Sequence, residues 1–195
     1  NAHGLPNECY LNGPYSKIER KKIFEDKWVT IGVASSVPNP GDTKPIDLLG
    51  IPLLIIRDKK HQVRVFHNVC SHRGYKLIQK NCSLKNILRC PYLSWSYDFE
   101  GNLIATPHLG GINKHEHDDF DKSKNSLKEV RTSIWLDLIM VNISENELPF
   151  EELNDFLKNL DAGDGKIIQN EFIRYEENVA ISKLTFDQWV SQYSF

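Results

Sequence analysis

The chain has 195 residues, of which 40% are apolar and 26% charged, the composition of an ordinary globular protein with enough length for one substantial core and some appendages. A net charge of −2, with no basic run longer than Arg20-Lys21-Lys22, argues against nucleic acid as a partner. The longest nearly apolar stretch, 48–56, contains Gly50 and Pro52 and is far short of the roughly 20 residues a membrane helix needs; with no secretory start pattern either, no membrane partner is expected and the cytoplasm is the expected compartment.

In chain order, Ser16-Lys17-Ile18-Glu19 reads as a capping box, so a helix is expected over 17–26. A strand over 28–34 follows and is broken by Val37-Pro38-Asn39-Pro40-Gly41-Asp42. Segments 44–48 and 51–57 around Leu49-Gly50 read as a hairpin, and 63–67 as a further strand after Asp58-Lys59-Lys60. More short strands are expected over 86–89, 95–98, 103–106, 126–132 and 134–143. Many short strands with frequent turns predict an antiparallel β-sandwich or small barrel. Residues 107–125, with Gly110-Gly111 and dense charge, read as an exposed loop. Phe150, Leu153, Leu157 and Leu160 fall on one face of a helix that starts near Pro149, followed by a strand over 167–176 and the beginning of a helix over 185–195.

Two of the four cysteines stand in short loops with histidine-rich or aromatic company: Cys70-Ser71-His72-Arg73-Gly74, then Cys90-Pro91-Tyr92-Leu93-Ser94-Trp95-Ser96-Tyr97-Asp98. Thiolate and imidazole donors at such spacing suit a metal, and a reducing compartment suits that use. Cys9 and Cys82 are left over as unpaired small side chains. His115-Glu116-His117 offers a second metal-like pair, but in a charged loop it reads as solvated surface, and His67 and His108 read as packing or surface residues.

The two loops resemble those of Rieske non-heme iron oxygenase large subunits, the ring-hydroxylating and choline or betaine monooxygenase group. Cys70, His72, Arg73, Gly74, Cys90, Pro91, Tyr92, Trp95, Tyr97, Asp98 and Gly101 carry the likeness. Ile23-Phe24-Glu25-Asp26-Lys27-Trp28, Pro40-Gly41-Asp42, Ile55-Ile56-Arg57-Asp58 and Asn68-Val69 extend it. The resemblance implies a mainly β Rieske-like domain over 28–144, a helical segment over 1–27, and the start of an α/β catalytic domain over 145–195. It also implies a [2Fe–2S] cluster in which two thiolates hold one iron and two imidazoles the other, with Cys70, His72 and Cys90 as ligands and with Arg73 and Trp95 buttressing the loops.

Two adjacent residues depart from that pattern. Leu93 stands where the second histidine belongs, and leucine has no lone pair to give iron. Ser94 stands where the glycine belongs; if the backbone there has positive φ, the cost is on the order of 1 kcal/mol. Three states of the site stay open: a cluster-free fold, a [2Fe–2S] cluster with an unusual or solvent ligand, and another metal. Zinc could use Cys70, His72, Cys90 and conceivably Cys82. In the cluster-free state Cys70 and Cys90 are expected within disulfide reach.

Relatives in this group pass electrons to a mononuclear iron held by two histidines and a carboxylate. Against that pattern Ser191 replaces an acidic residue and Ser194 the first iron histidine. The chain by itself is therefore expected not to be an oxygenase, and no catalytic residue is assigned. Its alternatives are a ferredoxin-like one-electron carrier with a ferredoxin or reductase as redox partner, and a non-redox subunit that assembles as a homotrimer or with a paralogue.

Overall fold

The computed structural model describes residues 4, 6–11, 13–144 and 150, and separates into one unit of Thr30–Val141 and another of Asn1–Val29 with Asn142–Phe195. The elements expected over 153–195 lie outside the described residues.

In the terminal unit, α1 (Asn7–Leu11) and α2 (Gly13–Glu19) lead into a π-helical turn, Arg20–Glu25. The expected capping box is corrected here. Ser16 sits inside α2, which begins three residues earlier at Gly13-Pro14, because proline's fixed φ suits the first turn of a helix. The wide turn closes through the Asp26 N–H on the Lys21 carbonyl, 3.1 Å, and Arg20 and Lys21 pair with Glu25. Phe150 is buried edge-on against Trp28, 5.2 Å between ring centres, and the Asn142 side chain donates to the Asp26 carbonyl at 2.9 Å.

The larger unit is built of three antiparallel sheets. β2 (Asp42–Leu48), β3 (Ile51–Arg57), β4 (Val63–His67) and the two-residue β5 (Cys82–Ser83) form one sheet in the order β4-β3-β2-β5. Leu53, Leu54, Ile55 and Ile56 are all at most 1% exposed, so both faces of β3 are covered. Alternation sends Leu54 and Ile56 into one core with Phe66, Leu88, Tyr97 and Phe99. The β2–β3 turn uses Leu49 and Gly50, both at positive φ, the backbone that a two-residue hairpin prefers. The β3–β4 turn is wound around the fully buried Asp58, which accepts from the N–H groups of Lys60 and Gln62 and from Arg64 Nε.

β6 (Leu88–Arg89), β7 (Ser96–Tyr97) and β8 (Leu103–Ala105) form the second sheet, and β1 (Val29–Val33), β10 (Leu138–Asn142) and β9 (Arg131–Trp135) the third, in that order. Gly101, between β7 and β8, has φ +86 and lies over Phe66, whose ring a Cβ would meet at 2.5 Å. Only glycine fits there.

Three expectations change. No closed barrel forms among the described strands. Of the expected strand over 126–132, residues 126–130 are not a strand: Lys128 and Val130 bond across to His67 and Val65 of β4, and the strand begins at Arg131. The expected strand over 134–143 is split by a turn at Leu136, which has φ +56 and is 84% exposed. The next residue, Asp137, explains that turn, because its carboxylate accepts from the Ser35 N–H and hydroxyl. Among the described residues no helix is long and apolar enough to cross a membrane.

Candidate metal centre

The two cysteine loops are copies of one six-residue turn. The Cys70 N–H donates to the Tyr75 carbonyl at 2.8 Å and the Gly74 N–H returns to the Cys70 carbonyl at 2.9 Å; the Cys90 N–H donates to Trp95 at 2.8 Å and Ser94 returns to Cys90 at 3.0 Å. The fifth residue is left-handed in both, with φ +69 at Gly74 and +59 at Ser94. His72 therefore corresponds to Tyr92, and Arg73 to Leu93.

The aromatic contacts respect the same pseudo-symmetry. The third residue of each turn stacks on the sixth residue of the other. His72 lies flat on Trp95, 4.4 Å between centres and 7° between planes. Tyr92 lies on Tyr75 at 5.7 Å and 22°. Offset or parallel stacks of this kind add about 0.5–1.5 kcal/mol each beyond the area they bury, so the turns hold each other by side chains alone.

Cys70 and Cys90 are both free and 2% exposed, in one core with Trp95 and Tyr97. Burial first, and the neighbouring Cys90 thiol after it, push the Cys70 thiol above its ordinary range against the pull of the Tyr97 hydroxyl. Tyr97, fully buried, gathers the first turn. Its hydroxyl lies 3.2 Å from Cys70 Sγ and 2.9 Å from Ser71 Oγ, and accepts from the Ser71 N–H at 3.2 Å. Ser71 Oγ also donates to the Asn125 carbonyl at 2.6 Å. The second turn has a lighter tether, Ser96 Oγ to the Ser94 carbonyl at 3.0 Å. Burial, and then the Arg73 charge, hold His72 below the usual imidazole range.

The resemblance implies Cys70, His72 and Cys90 as donors where a Rieske cluster takes four, and Leu93, 41% exposed, stands at the fourth position. The residues present do not complete that set. Among the described residues, no three His, Cys, Asp or Glu side chains converge on one ion. Cys82 does not join the loops. It sits on β5 with Sγ 3.1 Å from Thr43 Oγ1.

Other sequence expectations divide. Trp95 buttresses the loops as expected, whereas Arg73 is exposed and acts on the site by charge alone. His115 and His117 lie in the exposed loop, and each spends Nδ1 on a backbone N–H, of His108 and Asp119. That loop is more than solvated surface. Phe120 packs edge-on against Trp95 at 5.5 Å, and Asp121 caps a 3-10 turn, Lys122–Asn125, that brings the Asn125 carbonyl to Ser71. A single phenylalanine amid Asp118, Asp119, Asp121 and Lys122 was the available signal. The hydroxyl role of Tyr97 had none, since its motif position reports only that a tyrosine is there.

Residues 27–116 match the Rieske [2Fe-2S] domain. The chain is 27% identical to the carnitine monooxygenase oxygenase subunit of Acinetobacter baumannii, over 85% of this chain and 44% of the relative. It is 30% identical to the 2-aminobenzenesulfonate 2,3-dioxygenase subunit alpha of an Alcaligenes species, over 77% of this chain and 39% of the relative. The crystal structure of the apo form of the quaternary ammonium Rieske monooxygenase CntA superposes with a TM-score of 0.71 at 27% identity, over 84% of this chain and 47% of that one. The chain spans less than half the length of each of these relatives.

Proposed function

Because the chain belongs to the Rieske oxygenase alpha-subunit family, we propose that it is a homologue of those oxidoreductases whose [2Fe–2S] site is impaired and which does not act as an oxygenase by itself. The observation that carries this reading is Leu93. It occupies the fourth position of the second turn, exposed, with an alkyl group in place of a nitrogen donor. Iron at that corner would keep a position for water, and a cluster with an open position is prone to oxidation and loss of iron.

Ser191 and Ser194, set against the family's acidic residue and first iron histidine, support the second half of the reading from sequence. A hydroxyl is a poor substitute for imidazole on ferrous iron. No substrate is assigned. Carnitine and 2-aminobenzenesulfonate belong to the relatives' names.

One observation favours a second reading, a one-electron carrier with an atypical ligand set. Both expected thiols are present: Cys70 and Cys90 are each buried in one core, and Tyr97 is hydrogen-bonded to Cys70 Sγ. In that case a ferredoxin or reductase is the partner. An assembly role, as a homotrimer or beside an active paralogue, needs only the fold.

Iron, acid-labile sulfide and zinc per chain, measured on anaerobically purified protein with visible and EPR spectra after dithionite, separate these. Negligible iron is expected. About two iron and two sulfide per chain with a reduced-cluster signal would replace the impaired-site reading by the carrier.

A further inference from the structure

We infer that the exposed face of the two cysteine turns docks a protein whose own surface is acidic around an apolar centre. The inference uses only surface residues of the turns, so it stands whether or not the site holds iron.

The centre of the face is apolar. Tyr92 is 54% exposed, Tyr75 41% and Leu93 41%, and Pro91 beside them is exposed as well. Tyr92 and Tyr75 make one patch because their rings stack at 5.7 Å and 22°, and Leu93 is the next residue along. A histidine there would set a polar ring beside this patch, and leucine extends it. Exposed apolar side chains clustered in this way mark interaction sites, and tyrosine is prominent among the residues that dominate binding energy. Both rings are held before a partner arrives, by their stack and by the backbone bonds that close each turn, so docking has little left to order.

Charge gives the chemistry of the partner. Eight of the chain's 24 Lys and Arg lie between Asp58 and Asp98, and none of its 26 Asp and Glu. Arg64 is committed to Asp58 and Glu129 and Lys59 lies over the Phe99 ring. Arg73, Lys76, Lys80, Lys85 and Arg89 are exposed, and none of the five is in an ion pair among the described residues. Two of them belong to the turns. Arg73 has the place in the first turn that Leu93 has in the second, and Lys76 follows Tyr75 and bridges back to Val69. The acidic loop that reaches Trp95 through Phe120 does not cancel this charge: it has three lysines against four carboxylates over 114–124, with Glu116 on Lys122 and Asp121 on Lys124. An apolar patch flanked by unpaired cations fits a surface that sets carboxylates around an apolar residue, and opposite charge then steers the encounter and fixes its register. Single cations about an aromatic centre, without a continuous basic stripe, suit a polypeptide better than the evenly charged backbone of a nucleic acid.

The test follows, by fluorescence anisotropy, a dye-labelled synthetic peptide that alternates Glu with Leu and Phe as it binds the full chain. A Glu–Ser peptide of equal charge, a Lys–Leu–Phe peptide and single-stranded DNA serve as references. The Glu–Leu–Phe peptide is expected to bind about tenfold or more tighter than each of them, and to weaken as salt rises. Arg73→Glu with Lys76→Glu should weaken it by about tenfold or more, and Tyr92→Ser with Leu93→Ser should do the same. Lys114→Glu with Lys128→Glu makes an equal change in net charge elsewhere on the surface and should leave affinity within about twofold. A carbodiimide, which joins carboxylate to amine only in contact, should link the peptide to Lys76 in the unaltered protein, a result that does not depend on how any variant folds. Four outcomes overturn the inference: no binding of the Glu–Leu–Phe peptide, binding of the Glu–Ser or the Lys–Leu–Phe peptide as tight, tighter binding of single-stranded DNA, or peptide binding that leaves Lys76 unlinked and the tip variants no weaker than the control.

Discussion

The turn at Cys70 and the turn at Cys90 share a backbone and differ in what they keep. The first has its histidine at position 72, its glycine at the left-handed position 74, and the buried Tyr97 hydroxyl bonded to both Cys70 and Ser71. The second has Leu93, 41% exposed, at its fourth position and Ser94 at φ +59. Matching backbone hydrogen bonds in both show that the turn keeps its shape with leucine at its fourth position and serine at its fifth. Shape here is set by chain reversal and cross-stacking, and chemistry by one side chain.

The strongest way to erase the difference is Leu93→His with Ser94→Gly. If the second turn lacks only donor and glycine, anaerobic reconstitution with iron and sulfide should take the double variant from negligible to about two iron per chain, with the visible spectrum of a Rieske centre. The parent, treated alongside, should stay colourless. A colourless double variant would mean that the turns, though matched in backbone, no longer present their ligands to a common cluster.

The reverse operation weakens the better-equipped turn. Tyr97→Phe removes the hydroxyl that joins β7 to Ser71 and Cys70, and the loss of buried hydrogen bonds of this kind costs about 1–3 kcal/mol. Urea titration should show that loss, and a change within error would mean that the first turn needs no anchor. The pH dependence adds a second reading. Burial, and then the Cys70 hydrogen bond, push the Tyr97 hydroxyl well above its ordinary value of 10.0, so the folded state keeps a proton that the unfolded state releases. Stability from this group is complete below about pH 10 and falls as pH rises beyond it, where the unfolded chain binds fewer protons. Tyr97→Phe should flatten that alkaline decline.

Sequence and structure divide along physical lines. The β2–β3 hairpin and β4 were legible because Leu49-Gly50 and the turn after Asp58 bracket runs whose burial matches their apolar pattern. The cysteine loops were legible because ligand spacing is local. What escaped depends on distant partners. Leu136 reads as strand, and becomes a turn because Asp137 finds Ser35 about a hundred residues away. Residues 126–130 look β-rich but serve as a bridge to β4. The cross-stack of Tyr75 on Tyr92 and the packing of Phe120 on Trp95 need the fold before either pair exists.

The smallest effect tests the fifth position of each turn. Gly74 has φ +69, and a Cβ there would meet nothing nearer than Val69 Cγ1 at 4.0 Å, so Gly74→Ala carries a conformational cost and no steric one. Ser94 already bears that cost, and its carbonyl, the group that Ser96 Oγ uses, would remain in glycine. The left-handed backbone costs an L-residue about 1–2 kcal/mol, and glycine gives back about 0.5–1 of that through its freer unfolded chain. Gly74→Ala should therefore destabilise and Ser94→Gly stabilise, each by about 1 kcal/mol or less, measured by the same urea titration. Opposite signs of similar size would establish that the turns are equivalent in energy as they are in backbone. If both substitutions destabilised, Ser94 would be contributing a side-chain interaction of its own, and the second turn would have been rebuilt around serine after losing its glycine.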